Sequence, residues 1–296
     1  MHAFSNALRA FPLLAKVEVC IHPFQRVRDR EEEKLDEKAL RWLQNAASIR
    51  DLKINILLPG ILAQNVQWNL IRSFHLDSFS RISVNLFFAI FPQMRSLRVL
   101  TVVAHSFLND DDTVPAILSE LQTITLWGRP NLISKILNSI TAPNLRKLWF
   151  DLNDQTSMAL AGLNRRSGLT SLCLSVRILP SWKPLDNELS DLSSVEELVI
   201  QKMSYITGVR AMLGAITLTS TSQAQIPAPL PRLVKLRILT EPDDMTTLIR
   251  FLESRSMYNP DCVPAPLSVE CAFSIPEAYS ARLKACRMAG IQLRTL

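Results

Sequence analysis

The feature that most constrains this chain is a short apolar pattern that recurs along it. From Leu145 to Asn153, apolar residues occupy relative positions 1, 4, 6 and 8. The same pattern at positions 1, 4 and 6 occurs at Leu14/Val17/Val19, Ile49/Leu52/Ile54, Ile71/Phe74/Leu76, Met94/Leu97/Val99, Leu121/Ile124/Leu126, Leu145/Leu148/Phe150, Leu169/Leu172/Leu174, Val195/Leu198/Ile200 and Leu233/Leu236/Ile238. Six of the eight intervals between first positions are 22–27 residues. With 48% apolar residues, single matches arise by chance, so the regular spacing is the evidence for a repeat.

Proline and helical periodicity support this repeat. Proline stands two residues before a first position at Pro12, Pro92, Pro143 and Pro231, where it ends a helix and favours an extended chain. Apolar residues at three- and four-residue intervals predict helices over residues 36–46, 131–140, 157–165, 243–254 and 276–288. One strand and one helix every 22–27 residues predict an α/β leucine-rich-repeat solenoid of about 9–10 irregular repeats. Its curved parallel sheet would line the concave side and its helices the convex side.

The repeat also predicts the limits of the domain. We expect a single solenoid over residues 1–296, with a flexible insertion at residues 218–231 and an exposed loop at residues 26–38. Period-two alternation predicts a strand at residues 267–273, and residues 291–296 could add an edge strand. The first repeat begins almost at Met1 without a polar cap, so we expect an N-terminally truncated chain.

Catalytic and metal-binding motifs are missing from the sequence. It has no G-x-G, G-K-[ST] or G-x-S-x-G motif, and its four histidines lie far apart. The acidic run at residues 109–112 lacks the other ligands of a calcium loop and predicts a helix N-cap before residues 114–118. We therefore expect a protein that is not an enzyme, with no cofactor and no metal.

The charge distribution and the cysteine content limit the compartments and the partners that we expect for the protein. The formal charges of residues 1–100, 101–200 and 201–296 are +5, −3 and +4, so the net +6 does not form one basic stripe. This distribution does not favour nucleic acid as a ligand. Five cysteines without C-x-x-C spacing suggest reduced thiols in the cytoplasm or nucleus. No apolar run approaches the roughly 20 residues of a membrane span, so no membrane association is expected.

The repeat predicts where a partner protein would bind. If positions 1, 4 and 6 face the core, positions 3, 5 and 7 project from the concave sheet. Tryptophan and arginine there are typical of binding hot spots. The predicted partner-binding residues are Trp127, Trp149, Arg98, Leu100, His75 and Asp151. Two alternatives remain open for the tryptophans: a loop covers them, or a shift of one residue turns them inward.

Three segments carry a resemblance to a known family. Residues 142–148 (APNLRKL), 230–236 (LPRLVKL) and 248–255 (LIRFLESR) resemble the leucine-rich-repeat region of fungal F-box proteins, particularly those of mushroom-forming fungi. The resemblance implies that the repeats capture a target protein, while an N-terminal F-box docks on the linker subunit of a cullin ubiquitin ligase. No F-box is visible in this sequence, and the asparagine usual at position 9 occurs only at Asn153. The linker subunit is therefore expected as a partner only if an F-box lies upstream. The alternatives are an orphan leucine-rich-repeat scaffold and, less favoured, a nucleic-acid-binding protein.

Overall fold

The computed structural model describes eleven stretches of the chain and one single residue. The single residue is Leu189. The stretches are residues 15–19, 48–55, 66–83, 88–108, 115–152, 154–176, 192–202, 207–217, 230–242, 244–256 and 267–296. The predicted helix at 36–46, the loop at 26–38, the acidic run at 109–112 and nearly all of the 218–231 insertion lie outside the described residues. The chain forms two compact units, Met1–Leu145 and Arg146–Leu296.

The first unit contains five strands of one parallel sheet and a small second sheet. Its elements are β1 (Lys16–Val19), β2 (Asp51–Ile54), β3 (Ser73–Ser83), β4 (Val99–Leu108), β5 (Ala116–Ile117), β6 (Thr123–Gly128), α1 (Pro130–Ser139) and β7 (Ile140–Thr141), with 3-10 helices at Trp68–Leu70 and Phe91–Gln93. The order in the main sheet is β1-β2-β3-β4-β6, and β5 pairs with β7. These pairs are parallel.

The second unit contains six parallel strands. Its elements are β8 (Lys147–Leu152), α2 (Asp154–Arg165), β9 (Ser171–Val176), β10 (Glu197–Lys202), α3 (Thr207–Ile216), β11 (Lys235–Ile238), α4 (Met245–Ser256), β12 (Ser268–Cys271), a 3-10 helix at Glu277–Tyr279, α5 (Ser280–Met288) and β13 (Gln292–Thr295). The strand order follows the sequence from β8 to β13. Eleven parallel strands with intervening helices confirm the predicted α/β class.

Strand pairing aligns equivalent positions of successive repeats. Leu52 lies opposite Phe74, Phe74 opposite Leu100, and Leu100 opposite Ile124. All four side chains are buried, as are Leu148, Leu172, Leu198 and Leu236 in the second unit. The core of each unit therefore contains a column of apolar side chains at position 4, one from each of these strands, as the repeat predicted.

Backbone hydrogen bonds link each repeat to the next just before the strands begin. The carbonyl of Arg72 accepts from the amides of Arg98 and Val99, at 2.7 and 3.0 Å. The same two-amide pattern occurs at the carbonyls of Ala15, Arg50, Arg98, Arg146, Thr170 and Glu196. These residues occupy position 2 of their repeats, so the stacking depends on the backbone and not on the side chain at this position.

The prolines before the strands occupy tight turns. The amide of Leu145 donates to the carbonyl of Ala142 at 3.0 Å, and that of Leu233 donates to Leu230 at 3.1 Å. Pro143 and Pro231 are the second residues of these turns, the place that proline favours because its φ is fixed. Their role is thus to form a turn immediately before position 1.

The fourth repeat was placed three residues too early. Strand β4 begins at Val99, and pairing with Phe74 makes Leu100 position 4. The correct pattern there is Leu97/Leu100/Val102 and not Met94/Leu97/Val99. Val99, predicted to face the core, is 38% exposed.

Helix predictions were confirmed in part. Helices α1, α2, α4 and α5 match the predictions within a few residues, and β12 and β13 match the predicted final strands. Helix α3 was missed. The helix predicted at 114–118 is wrong in its described part, since Ala116–Ile117 is a strand that pairs with Ile140–Thr141.

Candidate functional site

Three of the predicted binding residues lie on the sheet face opposite the core. We call this face, formed by positions 3, 5 and 7 of the strands, the open face of each unit. Trp149 on β8 lies there and is 37% exposed, while its neighbours Leu148 and Phe150 are buried. His75 on β3 is partly exposed between buried Phe74 and Leu76, and Trp127 on β6 is partly exposed after buried Leu126. The tryptophans do not face the core, so the one-residue shift is excluded for them.

Leu100 and Arg98 were predicted to bind a partner, but neither lies on the open face. The cause is the misplaced fourth repeat. Leu100 is 0% exposed and belongs to the core of the first unit. Arg98 precedes β4 and occupies position 2, outside the open face. Its guanidinium Nη2 lies 3.8 Å from Glu120 Oε2, and both side chains are about half exposed. Thr101 and Val103 take positions 5 and 7 on β4, and both are partly exposed.

The prediction that Asp151 contacts a partner is also wrong. Asp151 occupies position 7, as predicted, but it is only 1% exposed. Helix α2 begins at Asp154, two positions after Leu152, the last residue of β8. Thr156 in the first turn of α2 is buried, and its hydroxyl donates to the Asp151 carbonyl at 3.2 Å. Asp151 is therefore a buried strand-end residue and not part of an accessible surface.

An apolar strip runs across the open face of the second unit. Pairing places Trp149 opposite Cys173 and Cys173 opposite Val199, all at position 5. Cys173 and Val199 are each 9% exposed, so the tryptophan is the accessible member of this strip. We call Trp149, Cys173 and Val199 the apolar strip.

Charged residues flank the apolar strip on the next two strands. Arg237 Nε lies 2.9 Å from Glu270 Oε2, although its N–H is not aligned for a hydrogen bond. Lys235 Nζ lies 3.2 Å from Glu270 Oε1 and 4.0 Å from Glu197 Oε1. The Ser171 hydroxyl donates to Glu197 Oε2 at 2.8 Å. This chain of contacts holds Arg237 and Lys235 at the edge of the strip.

Sequence reasoning missed Glu270, which holds both cations. It lies on β12, whose segment was predicted as a strand by period two but was not aligned with the repeats. Aligning Val269 with Leu236, as the strand pairing does, would have placed Glu270 next to Arg237. The apolar alternation of residues 267–273 was therefore sufficient to place Glu270 beside Arg237.

The thiol of Cys173 is held in its protonated form. Burial raises its pKa to about 12, and the negative charge of Glu197 acts in the same direction, while Arg237 opposes them. A thiol reacts as a nucleophile through its thiolate. Cys173 therefore acts as a small apolar side chain at neutral pH.

A shallow cavity of about 180 Å³ lies on the first unit near His75. Its walls include Lys53, Asp51 and Ser73, and Lys53 Nζ forms a 2.7 Å ion pair with Glu18. Burial and then Lys53 lower the pKa of His75, whereas Asp77 and Glu18 partly offset them. His75 is thus neutral at physiological pH and offers a polar ring without a charge.

Neither metal-binding clusters nor membrane-spanning helices are found in the described ranges. No group of three or more His, Cys, Asp or Glu side chains in these ranges could hold a metal ion. The helices described, of which the longest have 12 residues, are too short and too polar to cross a bilayer.

Comparison with protein-family models finds no matching family, and comparison with curated proteins finds no matching sequence.

Proposed function

We propose that this chain is a noncatalytic protein-interaction module built as a leucine-rich-repeat solenoid. The observation that carries the proposal is Trp149, which is 37% exposed on the open face beside Cys173 and Val199. A large aromatic residue on an apolar strip with a charged border has the composition of an interface centre with its polar rim. The partner protein binds there, with the Trp149 indole as its main contact.

The rigidity of this face supports the proposal. Trp149, Cys173 and Val199 stand on paired strands, and the contacts of Glu270 hold Arg237 and Lys235 in place. A binding surface on regular strands loses little conformational freedom when a partner docks. By contrast, the buried thiol of Cys173, with its pKa raised to about 12, offers no nucleophile for catalysis.

The first prediction concerns Trp149. We expect Trp149→Ala to reduce the recovery of a bound partner at least about tenfold, because truncating a hot-spot tryptophan typically costs 2 kcal/mol or more. The measurement is quantitative affinity purification, with a photo-crosslinking residue at position 237 to mark partners that contact the open face. The matched control is Met158→Ala, since Met158 is a 73% exposed apolar residue on α2 of the same unit.

Two results would contradict this proposal. One is a crosslinked partner whose recovery is the same for Trp149→Ala and the parent protein. The other is an equal loss with Met158→Ala, which would indicate general surface adhesion. Melting curves for both variants separate lost binding from lost folding.

The narrower proposal is that the chain is the target-binding part of an F-box adaptor of a cullin ubiquitin ligase. It depends on the resemblance of residues 142–148, 230–236 and 248–255 to the repeat region of fungal F-box proteins. Mapping the full-length transcript tests it. An F-box upstream of Met1 that binds the linker subunit supports an adaptor, and a complete transcript without one supports an orphan scaffold.

A further inference from the structure

A single carboxylate lies on the part of the first unit's open face that β3, β4 and β6 form. These strands place nine residues at positions 3, 5 and 7: Ser73, His75, Asp77, Val99, Thr101, Val103, Thr123, Thr125 and Trp127. Asp77 is the only one of the nine that is charged at neutral pH, since burial keeps the pKa of His75 below its ordinary value. A ligand on these strands therefore meets one negative charge and no positive charge among the nine side chains.

Asp77 lacks the hydrogen bonds that a shielded carboxylate oxygen normally has. Its Oδ1 is shielded from solvent and accepts no hydrogen bond. No ion pair of Asp77 is found within the residues that the structure describes. The side chain as a whole is partly exposed, so a ligand on the open face can reach it. Shielding a charged oxygen from water without a hydrogen bond costs free energy, which a cationic donor would recover.

A second unsatisfied polar atom lies on the same strand. His75 precedes Asp77 by two residues and faces the same side of the sheet, and its Nε2 is also shielded without a hydrogen bond. In the tautomer with the proton on Nδ1, Nε2 is an acceptor like the carboxylate. A guanidinium group carries five N–H donors and is therefore able to serve both residues.

Asp77 is also the first of three side chains whose spacing suits an arginine. Pairing places Asp77 opposite Val103 and Val103 opposite Trp127, all at position 7 and all partly exposed. Adjacent strands are about 4.8 Å apart, so the three side chains span about 10 Å. An arginine that begins over Trp127 lays its methylene groups on Val103 and brings its guanidinium to Asp77. We call these three residues the Asp77 row.

We propose that the Asp77 row binds an arginine side chain of a partner protein. A guanidinium binds a carboxylate through paired, charge-assisted hydrogen bonds, and it loses its hydration more easily than the ammonium of lysine. The indole of Trp127 adds a surface on which a guanidinium or its methylene groups pack. The proposal rests on the proposed function only in that the partner is a protein, and it does not depend on Trp149.

The cations of the first unit nearest to the row do not oppose this binding strongly. Lys53 lies on β2 beside His75, and its Nζ is 2.7 Å from Glu18 Oε1, so its charge is largely balanced. Arg129 lies beyond the end of β6, two strands away from Asp77 and exposed to solvent. At this separation, which exceeds about 10 Å, salt screens most of the interaction between exposed charges.

The test uses the full chain with isotope-labelled tryptophan and the probe N-acetylarginine methylamide, whose blocked ends resemble an arginine within a protein. The chain has five tryptophans, and the variant Trp127→Phe identifies the indole N–H signal of Trp127 in the NMR spectrum. We expect this signal to shift on titration with a dissociation constant on the order of 1–10 mM, as suits one side chain. The citrulline analogue has the same shape without the charge and should bind at least about tenfold more weakly.

Asp77→Asn keeps the shape of the side chain and removes its charge. It should weaken probe binding at least about tenfold, because it removes one partner of a charged, hydrogen-bonded pair. The matched control is Asp51→Asn, since Asp51 is a partly exposed carboxylate at position 3 of β2 on the same face, about 13 Å away along the strands. Binding within about twofold of the parent is expected for this control. Unchanged signals of the other tryptophans show that both variants are folded.

Three results would overturn the proposal. One is a Trp127 signal that does not move at about 50 mM probe, well above the expected dissociation constant. Another is an equal loss in Asp77→Asn and Asp51→Asn, which would show attraction to net charge alone. The third is free arginine that binds at least about tenfold more tightly than the blocked probe, which would make the row a small-molecule site. Probe binding does not measure the recovery of a partner through Trp149, so failure of this proposal and failure of the proposed function are distinguishable.

Discussion

Leu100 and Arg98 lie two residues apart at the start of β4 and have opposite environments. Leu100 is fully buried, opposite Phe74 and Ile124 in the core of the first unit. Arg98 extends into solvent before the strand begins. The two side chains should therefore differ sharply in their effect on stability.

We expect Leu100→Ala to lower the free energy of unfolding by about 2–5 kcal/mol, because it removes buried methyl groups and leaves a cavity. Arg98→Ala should change it by about 0.5 kcal/mol or less, as is usual for exposed positions. Urea denaturation followed by circular dichroism measures both. Comparable losses in the two variants would indicate that Leu100 is exposed and that Met94/Leu97/Val99 is the correct pattern of the fourth repeat.

The misplacement of that repeat has a definite cause. Residues 94–102 match the pattern twice, as Met94/Leu97/Val99 and as Leu97/Leu100/Val102. Pro92 favoured the first, because proline precedes position 1 by two residues elsewhere. In the structure Pro92 belongs to the 3-10 helix Phe91–Gln93, and the pairing of β3 with β4 selects the second. Pairing between strands is not visible in a single apolar pattern.

At the scale of elements, glycine has two opposite roles. Gly128, at the end of β6, has a φ of +150°, and a Cβ there would lie 2.2 Å from the Ala104 carbonyl oxygen of β4. Gly214, inside α3, has no atom within 4 Å of a Cβ added there. The first glycine permits two strands to approach closely, and the second only weakens a helix.

Gly128→Ala should therefore lower the free energy of unfolding by at least about 2 kcal/mol, through backbone strain and the clash with Ala104. Gly214→Ala should raise it by about 0.5–1 kcal/mol, because alanine costs less entropy in a helix than glycine. Thermal melts of the two variants show directly whether each substitution lowers or raises the stability. A neutral Gly128→Ala would mean that β4 and β6 separate at this point without cost.

Helix α3 shows why one element escaped prediction. Val209, Met212, Leu213 and Ile216 are buried and have the i, i+3, i+4, i+7 spacing of a helix face. Gly208 and Gly214 within Thr207–Ile216 lower its intrinsic helix propensity. Packing of the apolar face against the unit outweighs this cost, and propensity alone does not reveal that.

For the whole molecule, the class of fold was predictable and the linkage between repeats was not. The apolar column of each unit follows from side-chain spacing in the sequence. The repeats are joined through position 2 carbonyls of residues as different as Ala15, Thr170 and Glu196. Because every residue has a carbonyl, no side-chain signature marks this linkage, and the missing asparagines did not argue against stacking.

Ionisable groups set how the stability of the molecule depends on pH. Burial raises the pKa of Cys173 and of Cys271 to about 12, from an ordinary value of 9.0. Hydrogen bonds from Thr246 and Thr247 lower the pKa of Asp244 at the start of α4. The paired hydrogen bonds from Arg282, both 2.6 Å long, lower that of Glu253.

These shifts predict losses of stability on both sides of neutral pH. The thiols stay protonated in the folded state, so their contribution is complete below pH 9.0 and is lost as the pH rises toward 12. The two carboxylates contribute above their ordinary pKa values of 3.8 and 4.5 and lose that contribution in more acidic solution. His75, whose pKa is lowered from its ordinary 6.5, likewise loses its contribution as the pH falls below that value. Urea midpoints should therefore be level between about pH 7 and 8.5 and fall on either side. Cys173→Ala should make the alkaline fall shallower, with Cys271 causing the remainder, and leave the acid fall unchanged. Arg282→Ala should make the acid fall shallower, with Asp244 causing part of what remains. An alkaline limb that is as steep in Cys173→Ala as in the parent would mean that this thiol ionises freely in the folded protein.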